Sequence, residues 1–530
     1  MKTGNKFTAA MLLLLFTLAL AIRLLLIPAE PHIESDGVSY VTSGAKLVAG
    51  QGFSGIYAPF YPLLTGLCSL LCPDLELCGR LVSAIFGALL VFPLFFIARW
   101  AFGQKVALAS CLLAIAYPNL CQFSTAVLSE STYLFLFMLG SGISWAALAR
   151  KGPAFFLPAG AIWGLAYLTR PEGIGYFLLM AVIVAAKFAM ERKWRWVAAL
   201  FLLAAGFLAV AAPYLVHLRQ DTGRWMIGKQ SPLNLALGEN VGGSLDWGTA
   251  FEKCYFGLSD DGTKVGTEMI LEKEQGIVAY VLSNPVSIAK RYFINLHLIN
   301  KYVLPGLAYP LVLVLFAAGI FLGDKTKTRR ASVLFLACLP YLAFPLFIVD
   351  PRYFLPLVPI IIIWAARGLV EAAAWFAGPA PGAVPIGTAA PPLKPALVEA
   401  VLVAALLLSF VPFTFRAFLK GDTRTSIYKE AGAWISSNLP PDAALVCRRP
   451  YLPFYSGRRQ VVLPFATLDR ILKYARYKGA GYLVADETEL SERKDALPLL
   501  EEDYASQDLG IVQKFRDSSG RRLFIYKLAD

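Results

Sequence analysis

At 530 residues, 57% of them hydrophobic and only 16% charged, with a mean hydropathy of +0.59, the chain carries more apolar surface than one water-facing core can hide. A soluble class is excluded, and the bilayer is its solvent. The formal charge of +13 falls in short Lys and Arg clusters between long apolar runs, so it reports membrane topology and not a nucleic-acid partner.

Apolar stretches able to cross most of a ~30 Å hydrocarbon layer occupy residues 7–28, 80–98, 106–123, 131–149, 154–170, 174–190, 197–216, 306–322, 331–349, 353–372 and 396–415. They predict an α-helical polytopic membrane domain of about eleven spans. The first follows Lys2 and Lys6, and Arg23 with further apolar residues comes before Pro28 without a small-x-small cleavage site, which reads as an uncleaved helix. A shorter stretch, Phe60–Leu71, reads as re-entrant or interfacial.

Basic residues mark every second connection: Lys2 and Lys6, Arg99 and Lys105, Arg150 and Lys151, Lys187 to Arg195, Lys325 to Arg330, and Arg367 with Lys394. By the positive-inside rule these connections face the cytoplasm of a cell inner membrane. The outer face then receives loops 29–79 and 217–305, the turns at 129–130, 169–173 and 349–352, and everything after Phe415.

Gly378–Pro395, rich in Pro, Gly and Ala, reads as a flexible linker. From Asp422 onward the composition is that of a soluble protein. An amphipathic helix at Ile427–Asn438, strand-like runs at Ala444–Arg448, Gln460–Leu463 and Tyr482–Ala485, a helix at Thr467–Lys478, and two more runs at Gly510–Phe515 and Leu523–Lys527 predict a small α/β domain. The division is therefore residues 1–419 in the membrane and 420–530 outside it. The outer domain lacks a GxGxxG turn and takes no cofactor; support or acceptor docking is its expected use. The eight cysteines show no CxxC pairing and read as small hydrophobes, with a Cys72 to Cys78 disulfide only on an oxidising face.

The chemistry-bearing residues gather on the outer face. Glu34-Ser35-Asp36-Gly37-Val38-Ser39-Tyr40 follows the first span, and Asp36 at a cavity mouth can take the proton of an attacking hydroxyl, or else cap the helix that follows. Glu130 in Leu128-Ser129-Glu130 can join it or orient an acceptor, or simply favour a helix N-terminus. Thr169-Arg170-Pro171-Glu172-Gly173 breaks the helix between two spans, with Arg170 and Glu172 able to pair. Arg352-Tyr353 opens a late span with a fork of donors suited to phosphate, or anchors the interface. Arg291 and Lys301, in the long outer loop, are further phosphate ligands or belong to surface-lying helices. The three histidines, His32, His217 and His297, match no metal-ligand spacing.

This constellation resembles the GT-C glycosyltransferases, most nearly the family 39 and dolichyl-phosphate-mannose protein mannosyltransferase-like branch that includes the lipid A aminoarabinose transferases. The resemblance runs over nearly the whole chain. It implies that Asp36 is the catalytic base, with Tyr40 completing an Asp-x-x-x-Tyr pattern and Glu130 the second acidic motif. Tyr57-Ala58-Pro59-Phe60-Tyr61-Pro62-Leu63 is similar to the family's Pro-rich segment, and Arg352-Tyr353 to its donor-phosphate motif. Glu34, Tyr40, Tyr57, Tyr61, Arg170 and Glu172 are then expected around the substrates. Two departures bear on the substrate: no Lys stands near Tyr57, as in aminoarabinose transferases, and no His precedes Pro59.

The resemblance implies an inverting transfer from a polyprenyl-phosphate sugar without a metal cofactor, leaving a divalent cation open, on a membrane-lipid-embedded enzyme. It says nothing of which sugar or acceptor is used, or of oligomeric state. The alternative is a transporter or lipid flippase, against which stand the absence of an internal repeat and the placing of the charges at interfaces. A noncatalytic assembly protein is a second alternative.

Overall fold

The computed structural model describes residues 2–529 except 54, 150–151, 242–246, 273–281, 347–348, 378–393, 416–425, 491–492, 503 and 505. The expected linker, but for Lys394 and Pro395, and the 419/420 boundary lie outside the described residues. Helix α1 (Lys2–Leu26) is the first span. It is followed by the short α2 (Ser35–Val48) and α3 (Phe60–Ser69), and then by α4 (Leu75–Leu89) and α5 (Val91–Phe102), which run on as one apolar passage. Among the described residues seven helices are long and apolar enough to span a bilayer, or nine if two bent pairs each count once.

That is fewer regular spans than eleven, and proline accounts for most of the difference. The stretch 106–123 is broken into α6 (Gln104–Ala116) and α7 (Pro118–Thr125), bent by 53° where Tyr117 is forced extended ahead of Pro118. The stretch 306–322 is the helix Pro310–Phe321, at 99° to the helical run Pro285–Leu307 before it. The stretch 331–349 is a 3-10 helix over Ser332–Leu346; Pro340 and Pro345 lack the N–H groups that an α-helix needs there. Residues 154–170 form the shorter α9 (Phe156–Thr169), and α8 (Glu130–Ala149), α10 (Gly173–Glu191) and α11 (Arg195–Thr222) match their expected spans.

Helix packing brings the polar loops to one end of the bundle. Helix α3 lies directly on α2 because Gly44 and Gly66 have no side chain: a Cβ on Gly44 would stand 2.1 Å from the Pro62 carbonyl oxygen. Gly173 likewise admits the Tyr167 backbone, 2.4 Å from where a Cβ would sit, which tightens the turn between α9 and α10. The bundle core is a continuous apolar cluster that includes Phe95, Tyr117, Phe137, Trp163 and Trp364.

The C-terminal region carries a five-stranded sheet in the order β2-β1-β3-β5-β4, with β1 (Ala444–Cys447), β2 (Arg459–Val462) and β3 (Tyr482–Asp486) parallel and the β4–β5 hairpin (Leu509–Arg516, Arg522–Leu528) antiparallel. Both faces are covered, and alternation sorts the strand residues. Leu445, Cys447 and Val484 pack with the helix Ile427–Asn438, whereas Ala444, Val446 and Leu483 pack with the helix Leu468–Tyr477. Every expected element of this region is present to within a residue or so.

Candidate active site

Asp36 sits in the first turn of α2, and its carboxylate is held from both sides. Tyr57 donates its hydroxyl to Oδ1 at 2.8 Å, and Arg352 donates Nη1 to Oδ2 at 2.8 Å. Asp36 therefore does not cap the helix; the preceding Glu34 is the N-cap residue. Burial first, and then the adjacent Asp36 carboxylate, pushes the Tyr57 phenol well above its ordinary range, so it remains a donor.

Arg352 is aimed by local chemistry. Pro351 starts the late span, and Asp350 accepts the Arg352 backbone N–H at 2.9 Å as an N-cap. From there the guanidinium reaches Asp36 with one nitrogen and Glu130 with its Nε. Glu130 is 1% exposed and also accepts Arg170 Nη1 at 2.9 Å, while Arg170 reaches Glu172 at 3.4 Å. Five side chains from four separate segments thus form one chain of ion pairs, Asp36–Arg352–Glu130–Arg170–Glu172. Three carboxylates meet two guanidiniums in it.

Tyr353 borders this chain: the Arg170 guanidinium lies 5.4 Å from its ring centre and its hydroxyl accepts the Asn234 amide at 3.0 Å. Tyr40 packs 4.6 Å from the Tyr57 ring with its hydroxyl 3.2 Å from Ser129 Oγ, tying α2 to the segment that bears Glu130. Tyr61 is different. It is fully buried, donating to the Gly79 carbonyl at 3.0 Å and lying 2.8 Å from Ser83 Oγ, so it fastens α3 to α4 and offers no surface to a substrate.

Glu34 also works between segments. Its Oε2 accepts the Val127 N–H at 2.8 Å, linking the Asp36 loop to the Glu130 loop, and burial raises its carboxyl to about 7. Lys301 is exposed with its ammonium 5.0 Å from the Tyr302 ring centre, and Arg291 is buried one turn before Asn295, whose amide donates to Pro345. The ion-pair chain contains neither.

One cluster escaped the sequence reading. Glu76, 8% exposed, takes Arg80 at 2.5 Å, Lys429 at 3.2 Å and the Tyr455 hydroxyl at 2.9 Å. Tyr455 accepts the Ile33 N–H at 2.9 Å, and Arg80 donates to the His32 carbonyl at 3.0 Å. The imidazole of His32 lies 5.0 Å from the Tyr428 ring centre and 4.8 Å from that of Tyr451. The C-terminal sheet region is thereby bolted to the backbone three residues ahead of Asp36. The Glu76/Arg80 spacing of four, just before a span, was the available signal. Among the described residues no three His, Cys, Asp or Glu side chains gather as a metal site, and no two cysteines are joined in a disulfide.

Residues 57–217 match the model of the dolichyl-phosphate-mannose-protein mannosyltransferase family. No curated protein matches the chain in sequence. Among solved structures, ArnT from Cupriavidus metallidurans in the apo state is similar at TM-score 0.55 and 15% identity, over 98% of each chain. The same protein bound to undecaprenyl phosphate gives 0.53 and 14%, again over 98% of each chain. The Archaeoglobus fulgidus oligosaccharyltransferase in complex with Zn and sulfate gives 0.56 and 14%, over 97% of this chain and 72% of that one. The fold is that of the GT-C glycosyltransferases.

Proposed function

We propose that this chain is an inverting glycosyltransferase of the inner membrane, moving one sugar from a polyprenyl-phosphate donor to an acceptor hydroxyl on the outer face. The observation that carries the reading is the direct contact of Asp36, Arg352 and Glu130, residues brought from three distant segments to one end of the bundle. The 2.8 Å contact of Asp36 with Arg352 supports the reading that an aspartate after the first span and a late arginine act in one site. The match of residues 57–217 to the mannosyltransferase family and the undecaprenyl phosphate on the structurally similar ArnT support the donor class.

Asp36 accepts the proton of the acceptor hydroxyl as its oxygen attacks the anomeric carbon. The bond from that carbon to the phosphate oxygen breaks, its electron pair leaves with the phosphate, and the configuration inverts. Arg352, already charged and positioned, stabilises the departing phosphate. Glu130, locked between two guanidiniums, orients Arg352 and Arg170 by charge. The helical passages of the bundle supply the groove side of a lipid-tailed donor, and the sheet region fixes the Asp36 loop.

The test is transfer by the purified protein from a radiolabelled polyprenyl-phosphate sugar to total envelope lipid and glycan, with mass spectrometry of the product. Asp36→Asn is expected to abolish transfer while eluting and melting as a folded protein. An Asp36→Asn variant with full activity removes this mechanism, and donor binding without turnover by the unaltered chain favours a noncatalytic role.

A further inference from the structure

Helix α8 has two faces with different neighbours. Glu130, Tyr133 and Leu134 line the side that meets Arg170 and Arg352. Phe135, Leu139, Gly142, Ala146 and Ala149 lie about 150° around the helix from them, at 3.6 residues per turn. This second face forms, with Phe92, Phe96 and Trp100 of α5, an apolar cavity of about 590 Å³.

Apart from the indole N–H groups of Trp100 and Trp145 the lining is apolar, and the space is about four times the ~150 Å³ that takes a benzene, so it has room for roughly two dozen carbons. Along α8 it runs from Phe135 to Ala149, or about 21 Å, against about 15 Å for the hydrocarbon of one leaflet. Those dimensions fit one acyl chain. At the end remote from Glu130 stand Trp100 and Trp145, residues suited to the headgroup level, and Arg99, which is exposed and pairs with no carboxylate among the described residues.

We propose that this groove is a binding site for one chain of an acidic phospholipid of the leaflet opposite the active site, with the lipid phosphate at Arg99. The face it occupies separates it from the ion-pair chain, so a donor seated at Arg352 does not reach it along α8. The inference is independent of the proposed reaction.

The experiment uses the full chain reconstituted in nanodiscs of mixed phosphatidylethanolamine and phosphatidylglycerol, then released and examined by native mass spectrometry. One phosphatidylglycerol per chain is expected to survive detergent washing. Gly142→Leu, where a Cβ meets only Ile97 at 3.4 Å, and Ala146→Leu fill the groove and are expected to remove the adduct. Arg99→Gln is expected to keep a phospholipid and lose the preference for phosphatidylglycerol. A phosphatidylglycerol with a photoreactive group in its chain is expected to label α5 and α8 of the unaltered protein, a readout that needs no variant to fold. An adduct indifferent to both filling variants, no adduct at all, labelling confined to other helices, or a polyprenyl phosphate as the displaced molecule would each overturn the proposal.

Discussion

Arg352 holds Asp36 and Glu130 at once, 2.8 Å from the first through Nη1 and bonded to the second through Nε, so the proposed phosphate ligand and the proposed base neutralise each other before any donor arrives. With Tyr57 on its other oxygen, each carboxylate oxygen of Asp36 already accepts one hydrogen bond and keeps one lone pair for an acceptor. In the proposed reaction, a donor phosphate competes for Arg352 and releases Asp36 in the same step, which would couple donor binding to activation.

That coupling predicts opposite effects of one substitution. Asp36→Asn should abolish transfer and yet tighten undecaprenyl phosphate, because Arg352 loses its competitor. Glu172→Gln removes a charge from the same cluster without touching Arg352 and should tighten binding less. Arg352→Gln should weaken it by about 2–5 kcal/mol, the usual cost of truncating one partner of a buried, hydrogen-bonded charge pair. Titration with labelled undecaprenyl phosphate in detergent decides the order, and equal affinity of Asp36→Asn and the unaltered protein would refute the competition.

Glu130 should matter for stability more than Asp36 does. Its side chain is 1% exposed against 27% for Asp36, and removing its charge breaks two ion pairs at once, leaving Arg170 with Glu172 and Arg352 with Asp36 alone. Breaking such a buried pair costs about 3–5 kcal/mol, so Glu130→Gln is expected to lower the melting temperature sharply and Asp36→Asn only slightly. Thermal unfolding of the two variants in one detergent makes the comparison.

The spans and the sheet region were legible because hydropathy and strand alternation are local signals. Ala444, Leu445, Val446 and Cys447 announce a strand buried on both faces, and it is one. Geometry within the spans was less legible: whether Pro118 bends a helix by 53° or ends it depends on what packs around the break, and here Arg23 donates weakly to the Ile115 carbonyl at 3.5 Å. At the site, acids next to spans could be named, but pairing Asp36 with Arg352, 316 positions away, is a product of bundle packing. Tyr61 shows the limit of a motif, since its neighbour Tyr57 reaches Asp36 and it faces Ser83. Glu76 went unremarked because its partners, Lys429 and Tyr455, lie more than 350 positions along the chain.

The bolt at Glu76 predicts that the sheet region governs catalysis through the Asp36 loop. Tyr455→Phe leaves the Ile33 N–H and a Glu76 oxygen short of a partner at about 1–3 kcal/mol for each buried group left unsatisfied. Hydrogen exchange is expected to accelerate at residues 30–36, with kcat reduced and donor affinity unchanged. Unaltered exchange in that segment would show that the contact does not position the loop.

Two groups in this loop make stability depend on pH in opposite directions over overlapping windows. Burial raises Glu34 from 4.5 to about 7, so between those values the folded chain binds more protons than the unfolded one, and stability falls as pH rises through about 7. Burial, followed by the charge of Arg521, lowers His32 from 6.5 to about 4, so the unfolded chain binds more protons there and stability is lost as pH falls from 6.5 toward 4. Glu34→Gln keeps an amide oxygen for the Val127 N–H and removes the titration. Its melting temperature, relative to that of the unaltered protein, is therefore expected to climb from pH 6 to 8, about the range in which a carboxyl near 7 titrates, since His32 contributes equally to both; a constant difference between the two would mean that Glu34 does not carry the dependence.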